Sequence, residues 1–421
     1  MENQKKTLSD REVTDYTSSL WKYKAVPSEN VMPYPVPEYQ TDNHTIPAYP
    51  PGKFQVIAAR VRGKKHKHEG SNCDDWFETE NTEGIFISAV SDGAGSKKFS
   101  RIGAKAACRR AKYFLDAHLK NLLKKSPNLR EDLSKEMSDR SFTEAAGLLA
   151  SLVQDAMLSA REAVEKAYED RRFDEKYTMV VGRTLQLKDF ACTLLLTVAV
   201  PLEKLNETLI ISCQVGDGIT VAINTQKNFD EAVTLLGIPD SGKFSGETDF
   251  LTSSKFALKE NLISRTKLSR KPIDLIFSMT DGVADDYDPN EIHMHRLYFD
   301  LLANRILPFP KNFKPSSEIA PILKVPDPRS YPKLDDREKH ELFPIQYTSE
   351  LCTECNLSLK QIWENRESLL AMAQKIPFNR DLNPATRLKE WLDNYTIRGS
   401  FDDRTLVILR KDGDDYGEQD D

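Results

Sequence analysis

The sequence is short of the features that would mark a secreted, membrane-spanning or nucleic-acid-binding chain. Six cysteines in 421 residues are too few for a disulfide framework, so a reducing compartment is expected. No apolar run approaches the roughly 18 residues that a membrane-crossing helix needs. The longest, Phe190 to Val200, is interrupted by Cys192, Thr193 and Thr197 and reads as a buried strand. The opening MENQKKTLSDREV has no apolar stretch of the kind a secretory signal carries. There is no basic surplus either. Lys and Arg number 59 against 65 Asp and Glu, a net charge of −6, and neutralising a phosphate backbone needs the opposite balance. These absences predict a cytoplasmic protein with neither nucleic acid nor membrane as partner.

What is present falls into three parts. Residues 1–53 are dense in proline, mixed with Tyr, Asn and Asp, and no helical period survives there. They read either as an extended leader, which wraps the domain or binds a partner, or as a disordered tail. Residues 54–411 read as one folded domain, interrupted by an insertion at about 288–383 that is again rich in proline. Residues 412–421 form an acidic tail. Inside the domain, strands are expected at Phe54–Val61, Ile85–Val90, Cys192–Val200, Thr208–Val215, Ile219–Ile223, Ile273–Met279 and Thr405–Leu409. Two long apolar stripes at helical spacing run from Ile102 to Leu123 and from Phe142 to Tyr168. Strands in a block, with helices between and after them, predict an α+β fold of mainly antiparallel sheets.

Aspartates recur at the ends of these strands. Ile85 to Ser91 leads into Asp92-Gly93, Leu209 to Val215 into Gly216-Asp217-Gly218, and Ile273 to Thr280 into Asp281-Gly282 with Asp285 beyond. Asp402-Asp403 instead precedes Thr405 to Leu409. If that last strand runs antiparallel to the other three, all the acids gather at one edge. Packed carboxylates push each other's pKa values up unless cations neutralise them. An oxygen-only ligand set suits Mg²⁺ or Mn²⁺. One Asp-Gly after a strand is ordinary turn chemistry; this many in one chain calls for another explanation.

Ser91-Asp92-Gly93-Ala-Gly-Ser, Gly216-Asp217-Gly218, Thr280-Asp281-Gly282-Val-Ala-Asp285 and Asp402-Asp403-Arg-Thr405 resemble, in order, the motifs of the metal-dependent protein phosphatase 2C (PPM) family. Gly63-Lys-Lys-His66 followed by Cys73-Asp74-Asp75 is similar to the motif that the family's bacterial branch places first. The resemblance implies a four-layer αββα sandwich and a centre of two Mn²⁺ or Mg²⁺ ions, with a third, weaker metal. Its activity would be hydrolysis of phosphoserine and phosphothreonine by direct attack of a metal-bridging water. Carried over by position, Asp92 bridges both metals, the Gly93 carbonyl ligates the second, and Asp281 and Asp402 hold the first. Asp75 supports the second metal through water, while Asp217 and Asp285 match acids linked to the third. The expected partner is a phosphoprotein, a cognate serine/threonine kinase or its target.

Two positions depart from the family's better-known members. Ala94 stands where they carry a His credited as general acid, and Gly70 where they carry a phosphate-gripping Arg. His66, in the basic run Lys64–His68, is the candidate to act in their place, beside Asp92 and Asp281, as a catalytic group. The departures also define an alternative: a catalytically weak, phosphoprotein-binding or scaffolding member. A small phosphoester substrate is a third reading. Cys352-Thr-Glu-Cys355 has too few further ligands nearby for a zinc site. His293 and His295 read as surface or packing residues. Cys108, Cys192 and Cys213 read as core. The insertion is rooted just after Asp285 and is expected either to dock substrate or to cover apolar surface.

Overall fold

Several central strands read as unbroken apolar runs because both of their faces are covered. In the computed structural model, which describes residues 22–47, 53–237, 249–308, 358–364, 382–394 and 401–412, two antiparallel sheets stack face to face. Sheet A contains β1 (Tyr39–Pro47), β2 (Lys53–Val61), β7 (Ile219–Ile223), β8 (Val233–Leu235), β10 (Leu275–Met279) and β11 (Arg404–Asp412), in the order β1-β2-β11-β10-β7-β8. Sheet B contains β3 (Trp76–Thr82), β4 (Ile85–Ser91), β5 (Leu194–Leu202), β6 (Glu207–Val215) and β9 (Thr266–Lys271), in the order β3-β4-β5-β6-β9. The expected strands are all present within two residues of their predicted limits, except that β11 runs three residues further, to Asp412. The last strand in sequence, β11, lies inside its sheet, between β2 and β10.

Alternation along each strand divides the core into three layers of side chains. Val56 and Ala58 of β2, Ile276 of β10 and Val407 of β11 point inward, against Phe77, Val90, Leu195 and Ile210 of sheet B. Their neighbours Ile57, Ala59, Phe277 and Ile408 point outward. The outer face of sheet B is covered by α2 (Ser100–Lys125) and α3 (Arg140–Glu169). Helix α2 turns Ala107, Ala111, Leu115 and Leu119 inward, and α3 turns Leu149, Val153, Met157, Ala160 and Val164 inward, the spacing of a single helical face. Asp139 caps α3 by accepting from the Ser141 amide at 2.7 Å. The outer face of sheet A is covered by α5 (Asn290–Ala303), α6 (Leu359–Glu364) and α7 (Pro384–Asn394), which contribute Leu297, Leu301, Trp363, Leu388 and Trp391. Helix, sheet, sheet, helix is the four-layer αββα sandwich.

Two short helices, α1 (Lys64–Glu69) and α4 (Asp281–Ala284), sit at the edge where the acids gather. Part of the proline-dense leader is structural, since Tyr39–Pro47 is an edge strand paired with β2. The described parts of the insertion, α5 and α6, help to form the fourth layer. His295 is buried, stacked on Phe229, with its ring nitrogens 2.9 and 3.0 Å from the carbonyls of Ile292 and Phe229; it is a packing residue. Cys108, Cys192 and Cys213 are fully buried. Cys352 and Cys355, most of the insertion and the acidic tail beyond Asp412 lie outside the described residues.

Candidate metal centre

Strand direction puts the acids together. β4 and β6 both pair antiparallel with β5, so they run the same way and end at the same edge. There the chain passes from sheet B to sheet A through Gly216-Asp217-Gly218. β10 pairs antiparallel with both β7 and β11, so β10 ends at that edge and β11 begins there. Asp92, Asp217, Asp281 and Asp402 therefore converge from four strand ends. Carboxylate oxygens of Asp92, Asp217 and Asp281 all lie within 4.8 Å of one another. Asp402 groups equally closely with His66 and Asp403.

Tight backbone approach makes this possible. A β-carbon on Gly282 would fall 2.0 Å from the Asp403 carbonyl oxygen, so α4 can press against the start of β11 only with glycine at that position. Gly93 forms an isolated bridge with Cys192, closed by the Ala94 amide on the Ala191 carbonyl at 3.0 Å and the Thr193 amide on the Asp92 carbonyl at 2.8 Å. The carbonyl of Gly93 itself takes no part in that bridge, as a metal-ligating carbonyl requires.

The electrostatics are those of an uncompensated anionic cluster. Burial and then the charges of Asp281, Asp75 and Asp402 hold the Asp92 carboxyl well above the ordinary range. Burial, followed by Asp217, Asp75, Asp402 and Asp285, does the same for Asp281. Asp285 is raised by burial and by Asp217. Asp75, fully buried, is pushed up to about 7 by burial and by Asp403. One of its oxygens, Oδ1, is buried and accepts no hydrogen bond among the described residues. The oxygen-only group of Asp92, Asp217 and Asp281, raised carboxyls and an orphaned buried acceptor fit a centre for hard divalent cations; the sequence did not show that a histidine, His66, stands beside Asp402.

Beside the cluster lies a bracing pair that the motifs did not reveal. Asp403 is 2 % exposed and accepts from the Gly63 amide at 2.6 Å and the Asp74 amide at 2.5 Å. It also contacts His66 Nδ1 at 2.9 Å, while His66 Nε2 lies 3.9 Å from Asp74. Burial works against charge on His66, but Asp403, Asp74 and Asp402 prevail and push its pKa up to about 10. Burial also opposes ionisation of Asp403; His66 and the two amides outweigh it and hold that carboxyl below the usual range. The pair thus places a cation at the rim of the acid cluster and ties α1 to the start of β11. Within the doublets Asp74-Asp75 and Asp402-Asp403 the family resemblance singles out Asp75 and Asp402, but it assigns no role to Asp403, and nothing local in the sequence pairs that residue with His66. Thr280 and Thr405, whose hydroxyls donate to Asp75 at 2.9 and 2.6 Å, carried no signal beyond their neighbourhood.

The family model for protein phosphatase 2C matches residues 62–311, more than half of the chain, and the chain belongs to that family. The match includes Asp75, Asp92, Asp217, Asp281 and Asp285 and stops short of Asp402, which sheet A brings back to them through β11. No curated protein matches the chain. Among solved structures, serine/threonine phosphatase Stp1 from Staphylococcus aureus is 11% identical with a TM-score of 0.36, covering 93% of this chain and 99% of its own. A bacterial serine phosphatase is 12% identical with a TM-score of 0.36, covering 85% and 98%. RsbX in complex with magnesium is 12% identical with a TM-score of 0.31, covering 88% and 100%.

Proposed function

We propose that the protein is a metal-dependent protein serine/threonine phosphatase. The observation that carries this reading is the meeting of the Asp92, Asp217 and Asp281 carboxylates within 4.8 Å at an edge built from both sheets of a phosphatase 2C domain. Asp92, Asp281 and Asp402, with the Gly93 carbonyl, would hold two Mn²⁺ or Mg²⁺ ions. Asp75 would support them through water, and Asp217 and Asp285 would serve a third, weaker ion. When bound, such cations acidify water and supply the nucleophile for in-line attack on phosphorus. His66, held charged by Asp403, is positioned to offset negative charge at the rim as a phosphoryl group enters. The substrate would be a cytoplasmic phosphoprotein, a cognate kinase or its target. Among the described residues no helix is long and apolar enough to cross a membrane.

The second reading, a catalytically weak phosphoprotein-binding module, rests on the two departures. Gly70 ends α1 in a left-handed conformation (φ 77°), and a β-carbon there would lie 3.3 Å from the side chain of Lys24. An arginine is thus disfavoured at that position by backbone and by space. Ala94 is buried and offers no proton. Against this, a protein that only binds has no use for a self-repelling acid cluster. One assay separates the readings: hydrolysis of phosphothreonine peptides and of an aryl phosphate, in chelator and after addition of Mn²⁺ or Mg²⁺. The phosphatase shows metal-restored turnover of the peptides. Turnover that persists in excess chelator rejects the metal mechanism, and tight peptide binding without turnover selects the binding module.

A further inference from the structure

The end of the β10–β11 ladder is irregular in a way that bears on Asp75. Met279 pairs with Leu406, so Thr280 and Thr405 are the next pair along. The Thr280 amide donates to the Thr405 carbonyl at 3.2 Å, as the ladder requires. The return bond is different. The Thr280 carbonyl already accepts from the amides of Val283 and Ala284 at 3.1 and 3.0 Å, in the first turn of α4. The Thr405 amide donates instead to Thr280 Oγ1, at 3.1 Å. A threonine hydroxyl has one proton to give, and with its oxygen accepting from Thr405, the Thr280 hydroxyl gives that proton to Asp75 Oδ2 at 2.9 Å. The Thr405 hydroxyl donates to the same oxygen at 2.6 Å.

All three residues are fully buried. Asp75 reaches them from the start of β3, in the other sheet. Two donors converge on Oδ2, while Oδ1 has no amide or hydroxyl donor among the described residues and the Asp75 carboxyl meets that of Asp92. A carboxylate held in this way cannot rotate without breaking two buried hydrogen bonds, so its unshared oxygen keeps one direction.

We propose that Thr280 and Thr405 form a hydroxyl clamp that turns Oδ1 of Asp75 to the metal centre, which makes both threonines positioning residues for metal binding. The clamp rests on the metal reading above. Hydrogen-bonded partners behind metal-site carboxylates typically change affinity or activity about 10- to 100-fold when removed. Neither threonine touches the reacting atoms.

The test is calorimetric titration of Mn²⁺ into wild type, Thr405→Val and Thr405→Ser, with no substrate present. Unfolding in chelator is followed in parallel, to confirm that each variant is folded. Valine keeps the shape and removes the hydroxyl; serine keeps the hydroxyl and removes the methyl. The expected result is an affinity loss of about 10- to 100-fold for Thr405→Val and near-wild-type affinity for Thr405→Ser. If Thr405→Val does not fold, Thr405→Ala against Thr405→Ser makes the same comparison. Wild-type affinity in a folded Thr405→Val, or equal losses in the valine and serine variants, overturns the clamp and leaves the metal reading standing. A wild-type protein that binds no Mn²⁺ overturns both.

Discussion

Replacing Asp92 with asparagine should abolish turnover and make the metal-free protein more stable. Asp92 lies within 4.8 Å of Asp217 and Asp281. Two ionised carboxylates at that distance repel by about 3.5 kcal/mol at an effective dielectric constant near 20. The cluster escapes part of this by holding protons, but that escape has its own cost. A buried carboxyl whose pKa stands at about 7, as for Asp75, destabilises the fold by roughly 4 kcal/mol once the pH is above that value. Removing the Asp92 charge lets its neighbours relax part of the way, a gain of about 3 kcal/mol. With an unfolding entropy of about 2.1 cal/mol/K per residue over some 400 residues, that corresponds to a rise in Tm of about 4 °C. The assay is thermal unfolding at pH 8, in chelator and in saturating Mn²⁺. In chelator the variant should melt above wild type. In Mn²⁺ the order should reverse, because only wild type gains binding energy, about 4.1 kcal/mol at a metal concentration 1,000 times Kd, which exceeds the gain of about 3 kcal/mol from removing the charge. A variant that melts at or below wild type in chelator would refute the claim that these acids repel one another.

Three further outcomes follow from the same geometry. Asp75, Asp92 and Asp281 have carboxyls raised in the folded state, so the folded protein binds more protons than the unfolded chain between about pH 4 and 7. Their stabilisation is complete below about pH 4 and is lost as pH rises through the raised folded-state values, about 7 for Asp75; Asp403, whose carboxyl is lowered, acts oppositely only in the acid range. The urea midpoint of chelated protein should fall from pH 5 to pH 8, and a rising midpoint rejects the assignment. His66→Gln leaves the buried Asp403 charge without its cation and should lower stability by about 3–5 kcal/mol, read from denaturant unfolding; a loss below about 1 kcal/mol, the level of an exposed pair, would show that the pair does not brace the site. Gly282→Ala forces a carbon to within 2.0 Å of the Asp403 carbonyl oxygen and should cost about 1–3 kcal/mol together with Mn²⁺ affinity, whereas an unchanged variant would mean that α4 and β11 do not approach so closely.

Which strands were legible in the sequence has a physical explanation. β2, β4, β5, β6, β7, β10 and β11 are inner strands, and their residues form nearly continuous apolar runs. The strands that escaped notice, β1, β3, β8 and β9, are the four edges of the two sheets. Edge strands carry polar and charged residues that discourage pairing with other chains. Thr-Lys-Leu-Ser-Arg-Lys of β9 and Tyr-Gln-Thr-Asp-Asn-His of β1 consequently look like loops. At the site, acids after strands were legible because Asp-Gly at a strand end is a local pattern. The bracing contacts were not. Asp403 with His66, and Thr405 with Asp75, join residues more than 300 positions apart, and no local pattern encodes them.

The central place of β11 has a consequence for how the protein is made. Synthesis proceeds from the N-terminus at about 5–20 residues per second, and 133 residues separate Met279, the end of β10, from Asp412, the end of β11. For about 7–27 s on the ribosome, β2 and β10 therefore wait with facing edges unpaired, a state open to capture by other nascent chains. Insertion of β11 closes that gap, and the same event delivers Asp402 to the metal centre and Thr405 to Asp75. A chain cut short before β11 is thus an aggregation hazard and lacks both the acid that completes the cluster and a hydroxyl that holds Asp75.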